Sequence, residues 1–159
     1  QDTIREMAQL AREKLEQTVP KSDVPKARQA RESVAWYSTF YADAPAVIAA
    51  TMSTYRAVID DALEGDPSLT HDAVNEMRMR PDIQCIGAAV ENLLLAAVDM
   101  GYAGCWISGP LMARARVERL LDIRPPHQLI ALVALGKPAV KPGGAKQRRP
   151  LEEVLELRA

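Results

Sequence analysis

The stretch from Asp82 to Leu111 constrains the fold more than any other part of the chain. From about Asp82 to Met100, apolar residues recur at spacings of three and four and also occupy the other helical faces. A helix that is apolar nearly all round is normally buried. It carries too many polar residues for a membrane span, namely Asp82, Gln84, Glu91, Asn92 and Asp99. We therefore expect a central core helix that can also form half of a subunit interface, with Gly101 as its left-handed cap.

A short strand and a turn follow this helix. The strand is expected over Gly104 to Ile107, and Ser108-Gly109-Pro110 then opens a helix that runs to Leu121. The first N–H groups of a helix have no partner inside it, so they can face a ligand. Two interpretations stay open at this turn. It is either an ordinary strand-to-helix connection with proline at the first helical position, or a donor site where Gly109 lets a flat ligand approach.

The remaining pattern contains both helices and strands, which predicts a fold of mixed α and β structure. An unbroken apolar run from Leu129 to Leu135 predicts a strand covered on both faces. The other expected elements, in chain order, are a helix from Thr3 (with a capping box) to Gln17, a helix over Lys26 to Phe40, a strand over Pro45 to Met52, an acidic surface loop within Ser53 to Arg80, a short helix from Thr70 to Met79, and a tail element over Pro150 to Leu157.

Composition narrows the class of protein. The 159 residues suit a single domain over residues 1–159, and the formal net charge of −1 argues against a general nucleic-acid binder. Cys85 and Cys105 have no paired spacing, which predicts buried, reduced thiols in a cytoplasmic protein. His71 and His127 lie far apart in the chain, so we expect no metal site. We also expect no membrane partner.

The segment from Lys137 to Arg149 is basic and contains no acidic residue. Its cations are Lys137, Lys141, Lys146, Arg148 and Arg149. One interpretation is a solvated basic loop. The other is a clamp for a phosphate monoester, in which Lys146 and Arg148 point the same way if the segment is extended.

Four segments together resemble the nitroreductase family of FMN-dependent oxidoreductases. They are residues 86–97, 101–111, 129–138 and 146–154, and their order and spacing are similar to those of the family. The resemblance implies a nitroreductase-like α+β sandwich, in which helices flank a mostly antiparallel central sheet. It also implies an intertwined homodimer with two FMN sites at the interface.

The resemblance assigns site residues only where motifs match. It implies that backbone donors at Ser108 and Gly109 lie beside the flavin. It also implies that Trp106 and Ile107 line one ring face, and that Lys146 and Arg148 hold the FMN phosphate. The implied reaction is a two-step hydride transfer, from NAD(P)H to the flavin and then to a nitro-aromatic, a quinone or a similar small oxidant. The flavin carries this chemistry, and no side chain is assigned a catalytic role.

One departure from the family concerns the N-terminus. Family members begin with an arginine-rich segment and an Asn and Gln-Pro-Trp segment, and neither is in this sequence. We expect that the N-terminal part is missing from a longer protein. The alternative is a short natural variant with an altered site.

Two other functions stay open. One is a non-catalytic flavin-binding or regulatory module of the same fold. The other is a helical interaction domain, against which the apolar strand at Leu129 to Leu135 argues. The substrate is not readable from motifs, although an aromatic cluster either covers the flavin ring or packs at the dimer interface. The cluster comprises Trp36, Tyr37, Phe40 and Tyr41.

Overall fold

The computed structural model describes residues 1–65, 68–139 and 147–158. Its α-helices are α1 (Asp2–Thr18), α2 (Pro25–Thr39), α3 (Val58–Ala62), α4 (His71–Met77), α5 (Pro81–Asp99) and α6 (Arg114–Leu120). The strands are β1 (Ala46–Ser53), β2 (Ala103–Ile107) and β3 (His127–Gly136), and short 3₁₀ helices span Phe40–Asp43, Gly109–Ala113 and Leu151–Glu153. The expected α+β class is confirmed.

The three described strands form an antiparallel sheet in the order β1-β3-β2. Ala46 of β1 lies opposite Leu135, and Ile107 of β2 lies opposite Leu132. The central strand β3 is buried, since Leu132 and Val133 on its two faces are both 0% exposed. The prediction of a strand covered on both faces is therefore confirmed.

The two faces of the sheet pack against different helices. One face meets α1, α6 and the 3₁₀ helices Phe40–Asp43 and Gly109–Ala113, with Met7, Tyr41 and Val117 in that core. The other face meets α5 through Val90, which packs with Ala131 and Val133 of β3. The turn after β2 thus lies next to the larger of the two cores.

Helix α5 differs from expectation in its burial. Its buried residues are Asp82, Val90 and Ala97, whereas Leu95 is 60% and Val98 is 66% exposed. A single stripe of the helix reaches the sheet, so the apolar residues on its other faces remain open in the isolated chain. The prediction of a buried core helix is therefore wrong for a single chain. The expectation that α5 also forms half of a subunit interface stays a prediction.

Helix α5 is also, among the described residues, the one helix that is long and apolar enough to cross a membrane by length and composition. An 18-residue stretch of this helix has a mean hydropathy of 1.2, and 11% of that stretch is buried. One helix of this kind is weak evidence for a membrane span. The absence of a membrane partner stays a prediction.

Local signals fixed several boundaries correctly. Thr70 Oγ1 accepts a hydrogen bond from the Ala73 amide at 3.2 Å and so caps α4, as expected. Gly101 follows α5 with a φ of +76°, the left-handed conformation that glycine adopts without strain. The strand and helix positions near these signals agree with the sequence to within a few residues.

Other local predictions are wrong. Helix α1 begins after Gln1 without a side-chain cap, so the predicted capping box at Thr3 does not form. The expected acidic loop contains α3, because the Asp60 carboxylate accepts a hydrogen bond from the Ala57 amide at 2.6 Å and so starts a helical turn. The helix predicted from Pro110 begins instead as a 3₁₀ helix, and α6 starts only at Arg114.

The cysteine prediction is also wrong in part. Cys85 and Cys105 are free, as expected, but both are exposed rather than buried. Cys85 lies on α5 outside the stripe that meets the sheet, and Cys105 lies on the edge strand β2.

Candidate functional site

The turn after β2 is the part of the predicted site that the structure defines best. Ser108 lies between the edge strand and a 3₁₀ helix, with φ −112° and ψ −20°, and its carbonyl accepts a hydrogen bond from the Leu111 amide at 3.0 Å. Outside the regular helices and strands of the described residues, neither the Ser108 nor the Gly109 amide donates a hydrogen bond. The Ser108 residue is exposed. The turn can therefore present N–H donors to a ligand.

Gly109 is glycine because helix α2 crosses it closely. A Cβ atom at this position would lie 2.6 Å from Ser38 Oγ and 2.9 Å from Ser38 Cα. Contacts this short with backbone would force a shift of the turn or of α2. Ser38 is 2% exposed, so this contact holds the turn firmly against the domain. The side of Gly109 where a Cβ would project is thus occupied by protein, not open to a flat ligand.

Trp106 and Ile107 point to opposite faces of β2, as neighbouring strand residues do. Trp106 is 42% exposed as a whole residue, and its ring lies against α5, where a Cβ added to Gly87 would be 3.5 Å from the ring. Ile107 is 2% exposed and belongs to the core with Met7 and Tyr41. Trp106 therefore has an accessible ring, whereas Ile107 offers a ligand only its backbone.

The C-terminal cations are only partly described. Lys146 lies outside the described residues. Arg148 is exposed and makes no ion pair or hydrogen bond with the described part of the chain. Lys137 Nζ lies 3.7 Å from the centre of the Tyr102 ring and 3.5 Å from the Gly101 carbonyl oxygen. The phosphate clamp therefore stays a prediction.

A histidine–carboxylate pair in a cavity of about 500 Å³ was missed by the sequence analysis. His71 Nδ1 lies 2.8 Å and 2.9 Å from the two oxygens of Asp60, and His71 Nε2 lies 2.8 Å from Asn75 Nδ2. The Ala57 amide and then His71 hold the pKa of Asp60 below its usual range. Both ring nitrogens already have partners, which favours a structural role that joins α3 to α4. No local motif signals a pair whose members come from different helices.

A second missed feature fixes the start of α5. Arg80 has a φ of +55°, which is strained for a residue with a side chain. Its guanidinium binds both oxygens of Asp82, at 3.1 Å and 2.7 Å, and also Glu76 at 3.1 Å. Arg80 is the main reason that the pKa of Asp82 lies below its usual range. The ion pair thus holds together the junction between α4 and α5.

The aromatic cluster divides into exposed and buried members. Trp36 stacks on Phe40 with ring centres 5.1 Å apart, and Trp36 and Tyr37 are 59% and 63% exposed. Tyr41 is 1% exposed and its hydroxyl has no hydrogen-bond partner in the described structure. Burial raises the pKa of Tyr41. Tyr41 is therefore a core residue, and only Trp36 and Tyr37 are exposed enough to contact a ligand or a partner.

No metal site emerges from the described residues, since they contain no group of three or more His, Cys, Asp or Glu placed to hold an ion.

Comparison with known proteins identifies the family. The model of the nitroreductase family matches residues 1–137, so the chain belongs to the nitroreductase family. This membership supports, in general terms, an oxidoreductase that depends on a flavin.

Solved structures share the fold. A BluB-like flavoprotein from Clostridium difficile 630 has a TM-score of 0.81 and 25% identity, with 99% of this chain and 75% of that chain covered. A nitroreductase with bound FMN from Bacteroides fragilis has a TM-score of 0.53 and 20% identity, with 93% and 68% covered. An NADPH:FMN oxidoreductase from Vibrio harveyi, complexed with NAD+, has a TM-score of 0.50 and 17% identity, with 98% and 67% covered. The chain thus spans between two thirds and three quarters of these structures.

Proposed function

We propose that this protein is an FMN-dependent oxidoreductase that uses NAD(P)H to reduce a nitro-aromatic, a quinone or a similar small oxidant. Family membership supports this function, as do the relatives described as FMN-bound and as an NADPH:FMN oxidoreductase. Bound FMN would supply the hydride chemistry, and the protein would supply orientation and electrostatics. The observation that carries the proposal is the Ser108–Gly109 turn, in which Ser108 is exposed and neither amide donates a hydrogen bond to the described loops and turns.

The described residues fit a flavin in two respects. Amides that are fixed in place stabilise negative charge better than mobile water, and the contact between Gly109 and Ser38 fixes this turn. Arg148 has no carboxylate partner in the described chain, so its planar guanidinium is free to pair with a phosphate. In the proposal Lys146 joins Arg148, while Trp106 and the Ile107 backbone lie along the ring.

Binding of FMN is the first test. Titration of the full chain into FMN, followed by quenching of flavin fluorescence, should give a saturable curve. Arg148→Ala should weaken FMN binding by about tenfold, equivalent to ~1.4 kcal/mol, because a charge-assisted phosphate contact is lost. Arg158→Ala is the matched control, since Arg158 lies in the same tail but pairs with Glu156. Equal affinities of Arg148→Ala and Arg158→Ala would count against the clamp.

The turn is tested by a pair of substitutions at one position. Ser108→Pro removes the amide hydrogen and should impair flavin binding or flavin reduction. Ser108→Ala keeps the amide and should behave like the parent protein, because the backbone is the proposed donor. Steady-state oxidation of NAD(P)H with a quinone then tests catalysis. A protein that binds FMN tightly but does not turn over would instead be a non-catalytic flavin module.

The proposal includes a homodimer. Apolar side chains on α5 and at its C-cap are exposed, with Leu95 at 60%, Val98 at 66% and the cap residue Met100 at 69%. The described tail is likewise exposed, with Leu151 at 64% and Leu157 at 86%. Apolar surface on this scale marks an interaction site, and a second copy that covers both regions fits the intertwined dimer implied by the family.

The dimer is tested by mass in solution. Sedimentation equilibrium should give twice the chain mass, and Leu95→Asp should shift the protein towards monomer because it places a charge in the interface. Val24→Asp is the control, since Val24 is also 60% exposed but precedes α2. A monomeric parent protein would refute this part of the proposal.

We also propose a cytoplasmic protein without a membrane or nucleic-acid partner. The free cysteines Cys85 and Cys105 and the net charge of −1 support this assignment. Recovery in the membrane fraction after cell lysis, resistant to high salt, would contradict it.

A further inference from the structure

A cleft between α1 and α2 has the chemistry of a second binding site. Its volume is about 220 Å³, and it is lined by Arg12, Leu15, Glu16, Arg31, Ala35, Trp36 and Thr39. The floor is apolar, since Leu15 is 1% exposed. Arginines from two helices and an aromatic ring stand around this floor. Cationic and aromatic groups beside a small apolar cleft suit a small aromatic anion.

The positive charges of Arg12 and Arg31 are not paired with carboxylates in the described chain. Neither Arg12 nor Arg31 forms an ion pair with a carboxylate of the described chain, although other arginines form nine such pairs in it. Arg31 Nε donates a hydrogen bond to the Val19 carbonyl at 3.3 Å, which holds the guanidinium in place and leaves its terminal nitrogens available. Glu16 also lines the cleft, so the three charged groups carry one net positive charge. An anion would neutralise that charge.

The aromatic group is held rigidly for stacking. Trp36 lies parallel to Phe40, with an interplanar angle of 19°, and the edge of Tyr37 packs against it. Despite these contacts, Trp36 remains 59% exposed. A ring fixed in this way loses little conformational entropy when a ligand stacks on it. The cleft is also adequate in size, because an apolar cavity of roughly 150 Å³ holds benzene.

We propose that the α1–α2 cleft binds a monocyclic aromatic carboxylate, whose ring contacts Trp36 and whose carboxylate pairs with Arg12 and Arg31. The site is distinct from the Ser108–Gly109 turn in its lining residues and does not depend on a flavin. By contrast, the charged groups around His71 already pair with one another, so that larger cavity offers no unpaired charge for recognition.

The test uses Trp36 fluorescence in the full chain. The protein has two tryptophans, so Trp106→Phe leaves Trp36 as the single reporter. Titration with benzoate should change the emission in a saturable way, with a dissociation constant on the order of 1 mM. Benzyl alcohol and benzylamine, which keep the ring but lack the carboxylate, should bind at least tenfold more weakly. In the parent protein, which keeps Trp106, the benzoate affinity measured by calorimetry should be the same with and without added FMN.

Charge-removing variants assign the binding to the cleft. In the same background, Arg12→Gln and Arg31→Gln should each weaken benzoate binding by tenfold or more. Arg28→Gln is the matched control, because Arg28 is an exposed and unpaired arginine of α2 that does not line the cleft. Circular dichroism checks that each variant is folded, and Arg12 is exposed enough for its removal to leave the fold intact. An unsaturable response, equal binding of benzyl alcohol, or equal affinities in all three variants would overturn the proposal.

Discussion

The ion pair at the start of α5 makes a quantitative prediction about stability. In Asp82→Asn, the Arg80 guanidinium loses a carboxylate whose side chain is 7% exposed and which it contacts through both oxygens. Hydrogen bonds to charged groups contribute about 1.5–3 kcal/mol, and a negative charge at a helix N-terminus adds ~0.3–1 kcal/mol. The variant should therefore lose about 2–4 kcal/mol of unfolding free energy. For a chain of 159 residues, this is a fall in Tm of roughly 4–16 °C.

The stability difference between the parent protein and Asp82→Asn should also depend on pH in a definite direction. Because Arg80 lowers the pKa of Asp82 in the folded state, the stabilisation is present above the unfolded pKa of about 3.9 and is lost as the pH falls through the folded pKa. The Tm difference between parent and variant should be constant near neutral pH and should shrink below about pH 4. Thermal melts of the parent and the variant, followed by circular dichroism near neutral pH and again below about pH 4, measure this difference in Tm.

A control on the same helix sharpens the test. Asp99 is exposed at the last position of α5, where a negative charge opposes the helix dipole, so Asp99→Asn should change stability little or raise it slightly. If Asp82→Asn melts within about 2 °C of the parent protein, or if the difference persists undiminished in acid, the ion pair does not stabilise this junction as argued.

Three further substitutions test packing by thermal or urea unfolding. Gly87→Ala should stabilise the protein by about 0.5–1 kcal/mol, because alanine favours the helix and its Cβ would meet the Trp106 ring at an ordinary 3.5 Å; a loss of stability would contradict this. Gly109→Ala should cost about 1–3 kcal/mol, because its Cβ would lie 2.9 Å from Ser38 Cα; unchanged stability would show that α2 yields freely. Tyr41→Phe should raise stability by about 1 kcal/mol, because it removes a buried hydroxyl without a partner; a large loss would mean that the hydroxyl is bonded.

The order of elements was predictable because its signals are local. The alternation of apolar runs and breaks located β1, β2, β3 and α5, and single residues such as Thr70 and Gly101 marked helix ends correctly. Prediction failed where a local signal was weak or a competing contact decided the outcome. Helix α3 formed in an acidic stretch because the carboxylate of Asp60 caps it, which a count of acidic residues does not reveal.

For the candidate site, the sequence predicted where the backbone turn lies but not which side chains surround it. The Ser108–Gly109 turn lies at the end of β2 as expected, since the strand and the following proline define it. One of the two interpretations left open by the sequence attributed Gly109 to ligand approach, whereas the atoms nearest to a Cβ at this position belong to Ser38 on a helix far earlier in the chain. It also grouped Tyr41 with Trp36, although one is buried in the core and the other is exposed.

By itself, the sequence indicated the family and its α+β class through motifs that resemble it, and it located most helices and strands, because side-chain periodicity and turn residues act within a few positions. Only the tertiary structure decided which apolar residues of α5 stay open, that Ser38 of α2 lies against Gly109, and that Arg12 and Arg31 line the same cleft. Such outcomes depend on distances between residues on different elements, and those distances exist only once the elements have packed.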